Sequence, residues 1–354
     1  MAWRIWSCDT RTGRKQSVLP ASDFSWKNVL NSEGSGSATF RLSAKEAAGF
    51  NWRSLCEPVN RTLVAEWDGE PVYAGIIWDW DYDLDRRVLT VKHADFWSIL
   101  SRRLLFTTDL SKIATQKLVH ASRSLWDLAR KTVEAGTVGV FSLPVVYQGG
   151  GSGAHSRTYY GYSLPRVLDA LEEIMNISGG PDVVFDPRWS ADGSSLEYLM
   201  WDAADPGGAL EFNLSAESCG LFGVRVRNDA QNMATIVIGT GEGSEKKMLT
   251  RAATTATTVH LMGDASFPQE KELAVLQQRT DAKLNLLKRP TEQWSAKLLA
   301  SATQRVTLLK LGRTIRVYTK GDPMISDGYR TLRLIQYSGS LGETIDLEFQ
   351  QIGA

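Results

Sequence analysis

Along the first third of the chain, apolar and polar positions alternate in short runs separated by turn residues, a pattern of strands rather than helices. Residues 3–6 form a short apolar run, 23–30 read as a strand, and Asn31-Ser-Glu-Gly-Ser-Gly36 supplies turn chemistry before a return over 38–42. Ser43 and Glu46 stand at capping-box spacing and predict a short helix. Residues 62–67, a Gly69-Glu-Pro71 turn and a long strand from Val72 come next, and 87–92 make the return arm of a hairpin. Phe96, Ile99, Leu100 and Leu104 share one helical face with Arg102 and Arg103 outside, which predicts a helix over 96–105.

The middle of the chain changes period. Helices are predicted over 124–135, where Ser124 and Asp127 suit the start, and over 163–178, where Gly179-Gly180 supplies the stop. Gly149 to Gly153 reads as an exposed loop between them, and 182–186 and 196–201 as strands. Beyond residue 210 strands return at 223–227, 234–239, 293–299, 314–319, 329–337 and 343–349, with a polar loop over 240–258 and a helix over 268–288. The fold class expected is mainly β with α+β insertions. It divides into a β domain over 1–107, a mixed α/β segment over 108–209, and a second β domain over 210–354 with a helical insertion around 268–288. The two ends share a faint pattern: Gly69-Glu70-Pro71 with Tyr73 near one, Gly321-Asp322-Pro323 with Tyr329 near the other.

Composition narrows the function classes. Forty basic and forty acidic residues give zero formal charge, which argues against a chain whose main task is gripping phosphates. Cys8, Cys56 and Cys219 are odd in number and far apart, so free thiols are expected rather than a disulfide framework. The N-terminus lacks an apolar core of signal-peptide length, and no run approaches the ~20 apolar residues of a membrane span. Twelve tryptophans suit packing cores and interfaces, or a sugar-binding platform.

Catalytic and metal patterns fail at named residues. Gly239-Thr-Gly-Glu-Gly243 matches neither phosphate-loop fingerprint, and Gly150-Gly-Ser152-Gly-Ala154, with His155 beside it, lacks the strand-to-helix setting of a nucleophile elbow. His93, His120, His155 and His260 have no metal-ligand spacing. Glu172 and Glu173 read as the solvated face of a helix with Leu171 and Ile174 behind. No catalytic, cofactor or metal residues are therefore expected. The feature that stands out is Ile77-Trp-Asp-Trp-Asp-Tyr-Asp-Leu-Asp85. On a strand, Asp79, Asp81, Asp83 and Asp85 would line one face about 7 Å apart, with Trp78, Trp80, Tyr82 and Leu84 on the other. Four like charges in a row must meet water, a cation or basic partners. The calcium-loop pattern fails, because Leu84 stands where glycine is needed and Thr90 where glutamate is needed.

Three stretches carry a family resemblance: Ser25 to Phe40; Tyr73 to Trp78 running through Leu89 to Asp95 and on to Leu100-Ser-Arg-Arg-Leu104; and Gly312 to Val317 with Asp327-Gly-Tyr-Arg330 and the final strand. In these the chain resembles the Gp37-like minor tail proteins of siphophages and, more distantly, the central hub protein of contractile phage tails. The resemblance implies two β-barrel-like tail-tube domains separated by the mixed insert. It implies a homotrimeric ring of six similar tube domains that closes the tail tube, in the virion tail tip, after synthesis in the host cytoplasm. The implied partners are distal-tail or tail-tube proteins, tail-tip or fibre proteins and the tape-measure protein, with DNA passing transiently and without specific binding. No enzyme activity and no cofactor are implied. In such a ring the stripe Asp79, Asp81, Asp83 and Asp85 is expected to face the lumen, and the hairpin over 79–85 and the strands over 314–349 to meet neighbouring copies. The alternatives are a tail-tip module binding host-wall carbohydrate or a receptor, and a tail-associated peptidoglycan hydrolase.

Overall fold

The alternating runs at the start of the chain become β1 (Trp3–Asp9), β2 (Lys15–Leu19), β3 (Asp23–Val29) and β4 (Ser35–Arg41). After α1 (Trp52–Leu55) come β5 (Arg61–Trp67), β6 (Glu70–Asp83) and β7 (Val88–Ala94). The computed structural model describes residues 3–177, 179–204, 207–217, 219–257, 259–268, 270–302 and 306–351. The first seven strands pair antiparallel in the order β3-β4-β7-β6-β5-β1-β2. Gly69 makes the tight β5–β6 turn possible, with φ +88°, a conformation that costs glycine little.

A short helix α2 (Trp97–Leu100) follows. The longer helix expected over 96–105 does not form, because tertiary pairing claims its second half: Leu105 N–H donates to the Pro165 carbonyl and Val167 N–H to that of Arg103. Ser43 does not cap a helix either. The turn at Lys45–Ala47 is 3₁₀ with Ala44 at its N-cap, and the Glu46 side chain lies outside the described residues.

The middle segment contains β8 (Lys117–Arg123), α3 (Leu125–Gly136), β9 (Val145–Tyr147), β10 (His155–Tyr160), α4 (Val167–Met175), β11 (Val183–Trp189), β12 (Leu196–Asp202) and β13 (Leu210–Asn213). Ser124 caps α3 as expected, its hydroxyl accepting from Asp127 N–H at 3.1 Å. The helix α4 starts later than the predicted 163, because Leu164 adopts φ +48° ahead of Pro165; Ser178, its predicted end, lies outside the described residues. Strands β8 and β10 form a two-stranded ribbon, and β9, β12 and β11 a three-stranded sheet. Buried Leu128, Val133, Val167, Leu171 and Ile174 from the two helices join Val64, Ile76 and Phe96 in one core.

The last third holds β14 (Leu221–Asp229), β15 (Ile236–Thr240), β16 (Thr250–Thr254), β17 (Met262–Ser266), α5 (Leu273–Leu287), β18 (Thr291–Leu299), β19 (Thr314–Thr319), β20 (Gly328–Gly339) and β21 (Thr344–Gln351). The chain divides into two compact units, one of Met1–Val224 with Ala296–Ala354 and one of Arg225–Ser295. In the second unit β16-β15-β17 form a small sheet under α5, packed around Val237, Ala253, Ala265 and Leu284. Periodicity predicts neither β16 nor β17, and β16 lies inside the segment expected to be a polar loop. Their threonine, alanine and glycine residues carry too little apolar contrast to show alternation. Of the helix expected over 268–288, only Leu273–Leu287 is helical, and Gln269 lies outside the described residues.

The protein is mainly β with α/β segments. Its large sheet runs as an open path, β14-β18-β21-β20-β3-β4-β7-β6-β5-β1-β2, with β19 and β13 branching from β20. Among the described residues no ladder closes that path into a barrel. The path contains a repeat. The order β3-β4-β7-β6-β5-β1 is answered by β14-β18-β21-β20-β19-β13. The two long central strands carry their irregularity at the same place, between Ile77 and Asp79 in β6 and between Leu334 and Gln336 in β20. The two halves join where Trp26–Val29 of β3 pairs with Gln336–Gly339 of β20.

Candidate functional site

The acidic hairpin arm begins where β6 leaves the core. Val72 to Ile77 are all buried, and exposure starts at Asp79. The extra residue at the register shift is Trp78, whose Nε1–H donates to Ser98 Oγ at 2.8 Å while Arg102 lies over its ring at 4.7 Å. The bulge turns the strand so that Asp79, Asp81 and Asp83 take one face and Trp80 and Tyr82 the other.

The structure brings three of the four carboxylates together. Asp79, Asp81 and Asp83 lie opposite Lys92, Thr90 and Val88 of β7, which in turn lie opposite Ser37, Thr39 and Arg41 of β4. Apart from Val88, the face is thus a polar lattice of carboxylates, hydroxyls and two cations. Asp79 reaches Lys92 at 4.0 Å, both side chains more than 60% exposed, so the pair contributes little to stability. Asp83 holds the turn: its Oδ1 accepts Arg86 N–H at 2.9 Å and its Oδ2 lies 3.6 Å from Arg86 Nε. Asp85 is not on this face. The strand ends at Asp83, and Leu84 to Arg87 form the turn, with Arg87 at φ +52°. Leu84, expected on the apolar face, is likewise in the turn and 75% exposed. Among the described residues Asp81 and Asp85 have no ion pair.

On the opposite face Trp80, Tyr82 and Leu89 meet Leu42, Trp52, Arg53 and Cys56 around a cleft of about 250 Å³. Trp52 packs there against Phe40 and Phe50, with ring centroids 5.0 and 5.4 Å away. None of the twelve tryptophans is exposed; Trp26, Trp67, Trp97 and Trp294 are buried and the rest half-buried. They act mainly as packing.

The other sequence candidates resolve into structural roles. His93 is buried, its Nδ1 hydrogen-bonded to the Tyr73 hydroxyl at 3.0 Å and its ring stacked on Phe24; burial lowers its pKa to about 3. His120 is half-buried beside Tyr159, while His155 and His260 are exposed. Glu172 and Glu173 are exposed with Leu171 and Ile174 buried behind them. Gly239 packs against Thr280 of α5, and Gly150 against Asp127. Cys8 and Cys56 are buried free thiols, both pushed up to about 12 by burial, and Cys219 is free and half-buried. Among the described residues no group of three His, Cys, Asp or Glu side chains could hold a metal ion. Among them too, no helix is long and apolar enough to cross a membrane.

One polar cluster is not legible in the sequence because the tryptophans that meet at Glu66 lie 60 and 123 positions from it. Glu66 is 3% exposed. Its Oε2 accepts Nε1–H from both Trp6 and Trp189, each at 3.0 Å, and Arg4 lies 3.6 Å from its other oxygen. The Lys15 ammonium sits over the same two rings, 4.6 Å from Trp6 and 3.7 Å from Trp189. This cluster fastens β11 of the middle segment to β1, β2 and β5.

No family model matches the sequence, and no curated protein matches it. Solved structures do match over the whole fold. A tail protein from Neisseria meningitidis is 16% identical, covers 100% of this chain and 98% of its own, and gives a TM-score of 0.61. The 43 kDa tail protein of prophage MuSo2 from Shewanella oneidensis is 12% identical, with 98% and 97% covered and a TM-score of 0.59. The prophage tail protein gp18 from Listeria monocytogenes is 8% identical, with 98% and 94% covered and a TM-score of 0.54. At these identities the likeness is one of fold.

Proposed function

We propose that this chain is a structural hub of a phage tail, a homotrimer whose repeated β halves form a ring at the end of the tail tube. The observation that carries the proposal is the internal repeat, β3-β4-β7-β6-β5-β1 answered by β14-β18-β21-β20-β19-β13. A chain with two similar tube-like halves presents three copies as six similar units, which fits a six-fold tube above and three-fold proteins below. Fold likeness to three tail proteins over nearly their full lengths supports the same reading. Residues 1–107 and 210–354 would be the two tube domains and 108–209 the insert between them. The resemblance in the three stretches quoted above supports placing the chain with the Gp37-like minor tail proteins.

In the ring, the polar face bearing Asp79, Asp81 and Asp83 would line the channel, with Asp85 at its rim. Carboxylates there repel the phosphates of passing DNA and keep it from sticking. The apolar face, covered by α1, points outward. The hub contacts distal-tail or tube proteins on one side and tip or fibre proteins on the other, with the tape-measure protein and DNA in the channel. Low-resolution imaging of labelled protein in intact virions tests this. Density as a ring at the tail tip is expected; density in the capsid or in a peripheral fibre overturns it. Clearing of host cell walls in a zymogram would overturn the non-enzymatic role.

One observation favours a second reading. The cleft between Trp52, Arg53, Trp80 and Tyr82 offers aromatic faces and a donor of the kind that hold a sugar ring. Retention on purified host-wall polysaccharide, lost on Trp80→Ala, would support a carbohydrate-binding tip module instead.

A further inference from the structure

Within the chain, the two halves of the repeat meet through one short ladder. Gln336, Tyr337, Ser338 and Gly339 of β20 pair with Val29, Asn28, Lys27 and Trp26 of β3. They use the edge of β20 left open where β19 ends its pairing at Arg333. The equivalent edge in the first half is open as well. Pairing of β5 with β6 stops at Ile76, so Asp79 to Asp83 have β7 on one side and, among the described residues, no strand on the other. Aligning the two register shifts places Asp79, Trp80, Asp81 and Tyr82 where Gln336, Tyr337, Ser338 and Gly339 stand.

The strand equivalent to β3 is β14, which ends the sheet path. Among the described residues its other edge has no partner strand: of Leu221–Asp229, only Leu221 is buried, and Phe222, Arg225, Val226 and Arg227 are exposed. Long open edges of this kind invite pairing with another chain. Gly223 lies against the stem of Lys297, whose ammonium pairs with Asp346 at 2.7 Å. Asp23 holds the matching place opposite Thr39 in the first half. The part of β14 that matches the β20-pairing stretch of β3, Trp26 to Val29, is therefore its C-terminal half, Val226 to Asp229.

We infer that the C-terminal half of β14 in one copy pairs with the open outer edge of β6 in a second copy, repeating between chains the β3–β20 junction found within one. The occupant is another copy because its charges fit. Lys27 faces the neutral Ser338 in the internal junction, whereas between copies Arg227 meets Asp81 and Arg225 meets Asp83; Asp229, which comes opposite Asp79, is neutralised by its own pairing with Arg227 at 2.6 Å. Each copy then has one donor edge and one acceptor edge. Such a heterologous contact extends the sheet from copy to copy until it closes.

The inference rests on the ring reading and is tested apart from it. The full-length chain carrying Cys219→Ser, Asp81→Cys and Arg227→Cys is oxidised over a concentration series, and its mass is measured beside that of the Cys219→Ser parent. Covalent trimer, absent from either single-cysteine variant, is the expected product. A parent that is trimeric while the double-cysteine variant forms no bond overturns the strand pairing and leaves the ring standing. A parent that stays monomeric into the millimolar range, with no bond between copies, overturns both. A charge exchange gives a second measurement that needs no cysteine. Arg227→Glu should lower the trimer fraction by about tenfold, and adding Asp81→Arg should restore it; failure of the double exchange to restore it overturns the pairing.

Discussion

Tyr73 Oη and His93 Nδ1 lie 3.0 Å apart inside the first half of the sheet, in space kept open by Gly75 and Gly36. A Cβ on either glycine would come within 2.7 Å of the imidazole ring. The histidine therefore stays neutral, and burial holds its pKa at about 3.

That depression fixes a pH dependence and its sign. A depressed histidine takes up its proton more readily when the chain unfolds, so stability is lost as pH falls. The loss begins near the unfolded value of ~6.5 and continues down to about 3. Between pH 6.5 and 4.5 His93 contributes a slope of about 1.4 kcal/mol per pH unit, while Asp95, whose carboxyl pKa is raised by burial, contributes with the opposite sign. Urea unfolding of the wild type and of His93→Gln at a series of pH values isolates the histidine's share: the difference between the two should fall by about that slope as pH drops.

Removing Glu66 should be among the costliest single changes. Glu66→Ala leaves the Trp6 and Trp189 indoles without their acceptor and the Arg4 guanidinium without its carboxylate. A loss of about 2–4 kcal/mol is expected, read as a lower denaturation midpoint with a shift in tryptophan emission. Lys15→Ala, which removes only the cation over the two rings, should cost about 0.5–2 kcal/mol.

In the second unit, Gly239 lets the sheet approach α5. A Cβ there would stand 2.0 Å from Thr280 Oγ1. Gly239→Ala should destabilise the unit by about 1–3 kcal/mol, seen as faster amide exchange over 225–295. Thr280→Ala in the same chain should recover part of that, because Thr280 is the side chain that must give way.

The acidic face should behave oppositely. Asp79→Asn and Asp81→Asn each remove an exposed carboxylate and should change stability by no more than about 0.5 kcal/mol. If the face lines a channel, virions carrying Asp79→Lys and Asp81→Lys assemble but eject DNA more slowly. Unchanged ejection would detach these residues from the channel.

Alternation and turn chemistry determined most of the two β halves. Strand β19 runs over the predicted 314–319, and the hairpin of β6 and β7 lies where the Gly69-Glu-Pro71 turn and the aspartate alternation place it. Local sequence also determined α3, because Ser124 caps it through a neighbour three residues on. Only the tertiary structure decided the rest. The helix expected over 96–105 gave way to main-chain bonds with residues 165–167, a competitor that no window of neighbouring residues contains. Asp85 left the acidic face because the strand ends two residues earlier, where Asp83 binds the Arg86 amide. The repeat was legible as faint Gly-x-Pro echoes. Its strand order, its matched bulges and the unpaired edges of β6 and β14 depend on which strands hydrogen-bond across hundreds of residues, and side-chain periodicity carries no record of those partners.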